Sequence, residues 1–154
     1  MQFYFIGGLG GNGYHLAPLI DELGFPVTFL DPYREMIQTE KDLCDWFQDQ
    51  IGQDEEICLL GHSLGGDLAR YLAAEFPQIQ ALLLLDGGYL DMEKILPLEE
   101  ELEGTSSFMQ QQVFATLEEA VLSELGDQAD PTPIAQKAVE ASYRWNPASE
   151  QYEL

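Results

Sequence analysis

Residues 57–66 read Ile57-Cys58-Leu59-Leu60-Gly61-His62-Ser63-Leu64-Gly65-Gly66, and Asp67-Leu68-Ala69-Arg70-Tyr71-Leu72-Ala73-Ala74 follow directly. An apolar run, a glycine-flanked serine and then apolar residues at helical spacing predict strand, sharp turn, helix. Such a bend lifts Ser63 to the tip of its strand. The backbone is crowded there, so the positions two before and two after the serine must be small, and Gly61 and Gly65 meet that need. The main-chain amide of Leu64 opens the helix and points where negative charge develops on an attacked carbonyl, with the helix dipole of favourable sign. The plain reading is a strand-to-helix loop that merely contains a serine. The coincidence of strand, G-x-S-x-G and helix in order and length outweighs it.

On the N-terminal side, Phe3 to Ile6 predicts a strand and Gly7-Gly8-Leu9-Gly10-Gly11-Asn12-Gly13 a glycine-rich loop. Tyr14 to Leu23 then carries Leu16, Leu19, Ile20 and Leu23 on one helical face, and Gly24-Phe25-Pro26 closes it. Val27-Thr28-Phe29-Leu30 is a second strand ending at Asp31-Pro32. Thr39 can cap a helix in which Leu43, Trp46, Phe47 and Ile51 share a face. Beyond the helix after Ser63, which ends near Phe76-Pro77, Ala81 to Leu85 is a fourth strand, apolar on both faces and terminated by Asp86-Gly87-Gly88. Continuous apolar strands separated by helices imply an α/β fold with a parallel sheet covered on both sides. Right-handed crossovers lead to a doubly wound sheet of about four strands in the order 2-1-3-4. That order sets the first loop and the Ser63 bend side by side at the switch point, where open sheets bind ligands.

From Tyr89 onward strand-like runs stop. Three helices are expected: around Met92 to Leu96, from about Ser107 to Leu125, and from Pro133 to Tyr143 with proline in its first turn. The organisation is therefore an α/β core over residues 1–89 and a helical cap or lid over 90–154, and Ser142 to Leu154 reads as the entrance to another element.

Composition narrows the partners. Twenty-eight acidic against 6 basic side chains give a formal charge of -22 over 154 residues, a single-domain length. Such a surface repels nucleic acid and anionic membrane, so neither is an expected partner. Cys44 and Cys58 form no disulfide framework and lack a Cys/His cluster, so no metal is expected. The chain opens on a strand rather than a basic leader and carries no apolar window of about 18 residues, so a cytoplasmic, soluble protein is expected.

The chain resembles the α/β-hydrolase superfamily, in its branch of esterases, lipases, thioesterases and acyl-transfer enzymes with a helical cap. The likeness rests on Phe5-Ile6-Gly7-Gly8-Leu9-Gly10-Gly11, Phe29-Leu30-Asp31-Pro32, Gly61-His62-Ser63-Leu64-Gly65-Gly66 and Leu84-Leu85-Asp86-Gly87-Gly88, and so covers residues 2 to 90 by motif. It implies Ser63 as nucleophile toward a small-molecule acyl substrate, without cofactor. It further implies an oxyanion hole made by the amide of Leu64 and one near Gly8 or Leu9. Asp86 ends the strand after which some members place the acid; its plainer role is capping Gly87-Gly88.

One departure is large. The family orders its triad as serine, acid, histidine, and no histidine follows Ser63. His62 precedes the nucleophile, where a packing role is usual. His15, at the start of the first helix, can line the cleft mouth but reads more simply as a helix-start histidine. Two expectations follow: a portion or truncated form of a longer hydrolase, with little turnover by itself, or a hydrolase-like module that binds without catalysis. A sheet lacking its last strands is expected to self-associate along the edge ending at Leu85. A different class stays in view, because Gly8 to Gly13 fits G-x-G-x-x-G and Asp31 ends the second strand where a dinucleotide site holds its ribose.

Overall fold

The computed structural model describes residues 1–53, 56–91, 94–126 and 131–154, and divides into two units, Met1–Gly11 with Pro18–Leu90 and Asn12–Ala17 with Asp91–Leu154. The first unit is built on strands β1 (Gln2–Ile6), β2 (Thr28–Leu30), β3 (Ile57–His62) and β4 (Ile79–Leu85), all parallel in the order β2-β1-β3-β4. This is the doubly wound order expected from the apolar runs. In the β1–β3 register Phe5 faces Leu60 and Ile6 faces Gly61, so the glycine loop and the Ser63 bend leave the sheet side by side.

Burial explains why β3 is central. Its residues Ile57 to Gly61 are all buried, and Ile57 and Leu59 join Ile6, Phe47 and Leu72 as the largest fully enclosed side chains. Each such side chain contributes roughly 1.5–3 kcal/mol by leaving water. Helix α2 (Glu40–Ile51) presents Leu43, Phe47 and Ile51 to this core, and Phe47 meets Phe76 edge-on at 5.0 Å. Its start is set as the sequence suggests. The Thr39 hydroxyl accepts from the Asp42 amide while the Asp42 carboxylate accepts from the Thr39 amide, which satisfies two otherwise orphaned donors. Helix α1 (Gly13–Leu23) ends on Gly24 at φ +70°, a left-handed position without penalty for glycine.

β4 departs from the expectation of a strand covered on both faces. Leu83 and Leu85 are 45% and 38% exposed, because β4 lies at the sheet's edge and among the described residues pairs with β3 alone.

The second unit corrects the all-helical expectation for the later half. It contains helices α4 (Leu98–Gln111), α5 (Leu117–Leu125) and α6 (Pro133–Ser142), and also an antiparallel sheet, β5-β7-β6, from Val113–Phe114, Gln151–Glu153 and Arg144–Asn146. The helix expected over Ser107 to Leu125 is two helices. Thr116 starts the second by accepting from the Glu119 amide, while the Glu119 carboxylate accepts from Ala115 N. The final stretch is a hairpin, its turn held by Ala148 N donating to Asn146 Oδ1 at 2.9 Å and its face by Trp145 against Tyr152. Of the helix expected around Met92 to Leu96, the first two residues, Met92 and Glu93, lie outside the described residues. Helix α6 starts as expected, with Pro133 in the first turn behind the Thr132 cap. Tyr143 anchors this unit's core: its hydroxyl lies 2.6 Å from Gln112 Oε1 and 2.9 Å from Glu124 Oε1. Burial, then the Glu124 carboxylate, push this phenol above its ordinary pKa. Among the described residues no helix is long and apolar enough to cross a membrane.

Candidate active site

Ser63 joins β3 to helix α3 (Leu64–Glu75) with φ 52° and ψ −128°, a conformation that side chains other than glycine rarely adopt. A serine that merely caps a helix is extended and accepts a hydrogen bond from the second or third amide. Ser63 is neither. Its side chain makes no capping bond and is exposed, while its main chain is pinned by Ser63 N donating to Leu85 O at 3.1 Å and Gly66 N donating to Ser63 O at 2.8 Å.

The surrounding glycines are demanded by space. A Cβ on Gly65 would stand 2.3 Å from the carbonyl oxygens of both Ile6 and Gly7, one on Gly61 2.5 Å from Gly65 O, and one on Gly87 2.2 Å from Ser63 O. The first turn of α3 thus abuts the end of β1, and the segment after β4 abuts the serine's own carbonyl. Gly8 closes the remaining side: a Cβ there would lie 3.1 Å from Ser63 Cβ, 3.5 Å from Ser63 Oγ and 3.6 Å from His62 Nδ1. The candidate nucleophile, the glycine loop and His62 therefore share one small volume in the first unit.

Three amides are candidate donors to an oxyanion. Leu64 N opens α3, where helix amides lack intrahelical acceptors. Gly8 N and Leu9 N belong to the loop, which is folded on itself by Gly11 N donating to Gly8 O at 2.9 Å. Asp86 follows β4 directly, is exposed, and holds φ 51°, a second strained position beside the serine's backbone.

His15 lies in the second unit. Its Nδ1 accepts from Asn12 N at 3.2 Å, so the neutral ring carries its proton on Nε2. Burial lowers its pKa below the ordinary value, against a smaller opposing effect from the Glu124 carboxylate. Asn12, to which the sequence assigns only a place in the glycine-rich loop, is buried, and its Nδ2 donates to Ala138 O at 2.7 Å and Ser142 Oγ at 3.0 Å while its Oδ1 accepts from Tyr14 N. Asn12→Ala should remove these three hydrogen bonds, leaving Ala138 O with the Ser142 hydroxyl as a remaining donor, and lower stability by about 2 kcal/mol, read as a shifted urea midpoint at unchanged slope.

Asp31 is engaged locally. Its Oδ1 accepts from Tyr33 N at 3.2 Å and its Oδ2 pairs with Arg34 Nε at 2.7 Å. No group of three or more metal-ligating side chains occurs among the described residues.

Residues 34–153, which take in the Ser63 bend, match a protein family described as alpha/beta hydrolase fold. No curated protein sequence matches the chain. Among solved structures, the chain is similar to E-2-(acetamidomethylene)succinate hydrolase, with a TM-score of 0.63 at 20% identity over 99% of this chain and 60% of that one. It is also similar to the NocB thioesterase domain solved as a covalent complex with a fluorophosphonate nocardicin G analog, with a TM-score of 0.46 at 14% identity over 92% of this chain and 61% of that one. The first likeness is one of fold, and the chain spans about 60% of the length of each of these two structures.

Proposed function

The chain belongs to the α/β hydrolase fold family, and from that membership we propose that its first unit is an acyl-transfer centre with Ser63 as nucleophile. Ser63 Oγ attacks the carbonyl carbon of an ester or thioester, its proton passes to a base, and the alcohol or thiol leaves. The resulting acyl-serine is cleaved by water. The amides of Leu64 and of Gly8 or Leu9 receive the negative oxygen of the tetrahedral intermediate, each such donor contributing roughly 3–4 kcal/mol to the transition state. One observation carries this reading: Ser63 is held at positive φ, exposed and free of the capping bond a structural serine makes.

The base is the weak part of the constellation within these residues. His15 offers a protonated Nε2, a donor, because its Nδ1 lone pair is taken. We therefore expect the 154-residue chain alone to show little or no turnover of p-nitrophenyl acyl esters. The test of the nucleophile is covalent: a fluorophosphonate probe in excess, followed by peptide mass mapping, should place the adduct on Ser63. An adduct elsewhere, or none after prolonged incubation, overturns the assignment. The dinucleotide reading is less supported, since both oxygens of Asp31 already serve Tyr33 and Arg34. NADH fluorescence enhancement abolished by Asp31→Ala would reinstate it.

The partner proposed for the β4 edge is a second copy of the chain, paired strand to strand with Leu83 and Leu85 covered. A formal charge of -22 opposes that pairing, so association should strengthen with salt. Light scattering at low and high ionic strength decides it, and a monomer in both rejects the contact.

A further inference from the structure

We propose that Tyr33 is a positioning residue that aims the glycine-loop amides at the Ser63 hydroxyl by holding the Gly7 carbonyl from behind. The proposal rests on the reading of Ser63 as nucleophile. Tyr33 sits in a 3-10 turn, Pro32–Arg34, that follows β2. The turn is fixed at both ends, by Asp31 accepting from Tyr33 N and by the ion pair between Asp31 and Arg34. From this base the Tyr33 hydroxyl donates to Gly7 O at 2.8 Å.

The consequence follows from peptide geometry. Among the described residues no peptide bond is cis, and in a trans peptide the carbonyl and the following amide point in opposite directions. Anchoring Gly7 O therefore fixes where Gly8 N–H points. The next peptide is anchored likewise, with Gly8 O accepting from Gly11 N, which fixes Leu9 N–H. The two restraints differ in origin. Gly8 O is held by the loop's own backbone, whereas Gly7 O is held by a side chain from another crossover. Two consecutive glycines have more backbone freedom than any other pair, so a loop of this sequence needs an outside restraint to present a fixed donor. The Phe29 ring packs close beside Gly7, where an added Cβ would stand 3.1 Å from it. Burial, with Asp31 and Asp67 nearby, raises the Tyr33 pKa, so the hydroxyl keeps its proton and stays a donor across the ordinary pH range.

Tyr33→Phe removes the oxygen and leaves the ring. Two measurements on the full chain then separate the alternatives. The first is the rate of fluorophosphonate labelling, resolved into probe affinity and the maximal covalent rate. The maximal rate should fall about tenfold with affinity unchanged, since an imperfectly aimed donor loses part of the effect of a missing one. The second is the NMR signal of the Gly7 carbonyl carbon and the Gly8 amide, which should shift in the variant while signals from α2 do not. Equal maximal rates in the two proteins overturn the positioning role. Should the wild-type chain fail to label at Ser63, the nucleophile reading falls by itself. Tyr33 is then judged by the second measurement: an unshifted Gly8 amide rejects the restraint, and a shifted one upholds it.

Discussion

Ser63→Ala is expected to abolish covalent capture by a fluorophosphonate probe completely, because the substitution removes the atom that bonds to phosphorus. The wild-type chain should label slowly rather than not at all. In serine proteases, oxyanion donors and binding without a working triad still accelerate reaction by about 10³–10⁴ over water. The candidate donors are the amides of Leu64, Gly8 and Leu9, and the proposed nucleophile, Ser63, is exposed at its strained bend. Turnover is a different matter. Loss of a triad histidine alone costs on the order of 10⁶ in a comparable protease, which would bring ester hydrolysis by these residues near background. Robust hydrolysis of p-nitrophenyl esters that vanishes in Ser63→Ala would give the base's role to His62 or another group of this chain. The two assays therefore report separately on nucleophile and base.

Gly65→Ala is expected to destabilise the first unit strongly. The new Cβ would lie 2.3 Å from two carbonyl oxygens, Ile6 O at the end of β1 and Gly7 O just after it, which are main chain rather than a side chain able to swing away. Relief requires α3 to lift off the sheet and carry the Ser63 bend with it. Overpacking of this kind costs about 3 kcal/mol, and more when backbone must move. Gly104 supplies the control. It lies in α4 with nothing within 4 Å of its would-be Cβ, so Gly104→Ala should stabilise by roughly 0.5–1 kcal/mol through helix propensity and a less disordered unfolded chain. Urea denaturation of both variants checks the pair. An unchanged midpoint for Gly65→Ala would mean that α3 does not seat against β1.

The parts of the fold legible in the sequence are those that repeat. Four apolar runs, each closed by glycine or by Asp-Pro or Asp-Gly, specify the parallel sheet and its order, and the glycines spaced around Ser63 specify the bend. The later half misleads because its apolar residues keep helical spacing straight through a break: Phe108, Val113, Phe114, Leu117 and Val121 continue one face while the backbone changes to strand at Val113–Phe114. The break had a signal, the box formed by Thr116 and Glu119, which carries more information about a helix start than the hydrophobic face does. The strands at Arg144–Asn146 and Gln151–Glu153 span three residues each, too short for alternation to register. Asn12 and Tyr33 are hidden for another reason. Their partners lie 126 and 26 positions away, and no local pattern reports a bond across such a distance.

The bonds from Asn12 to Ala138 and Ser142 bear on how the gene can be dissected. Six residues between the first strand and Pro18 belong with the C-terminal unit, so no single cut yields both units whole. A gene fragment starting at Asp91 would leave behind the side chain that stitches α6. A circularly permuted chain, with its new ends elsewhere, is the route by which the C-terminal unit could keep it.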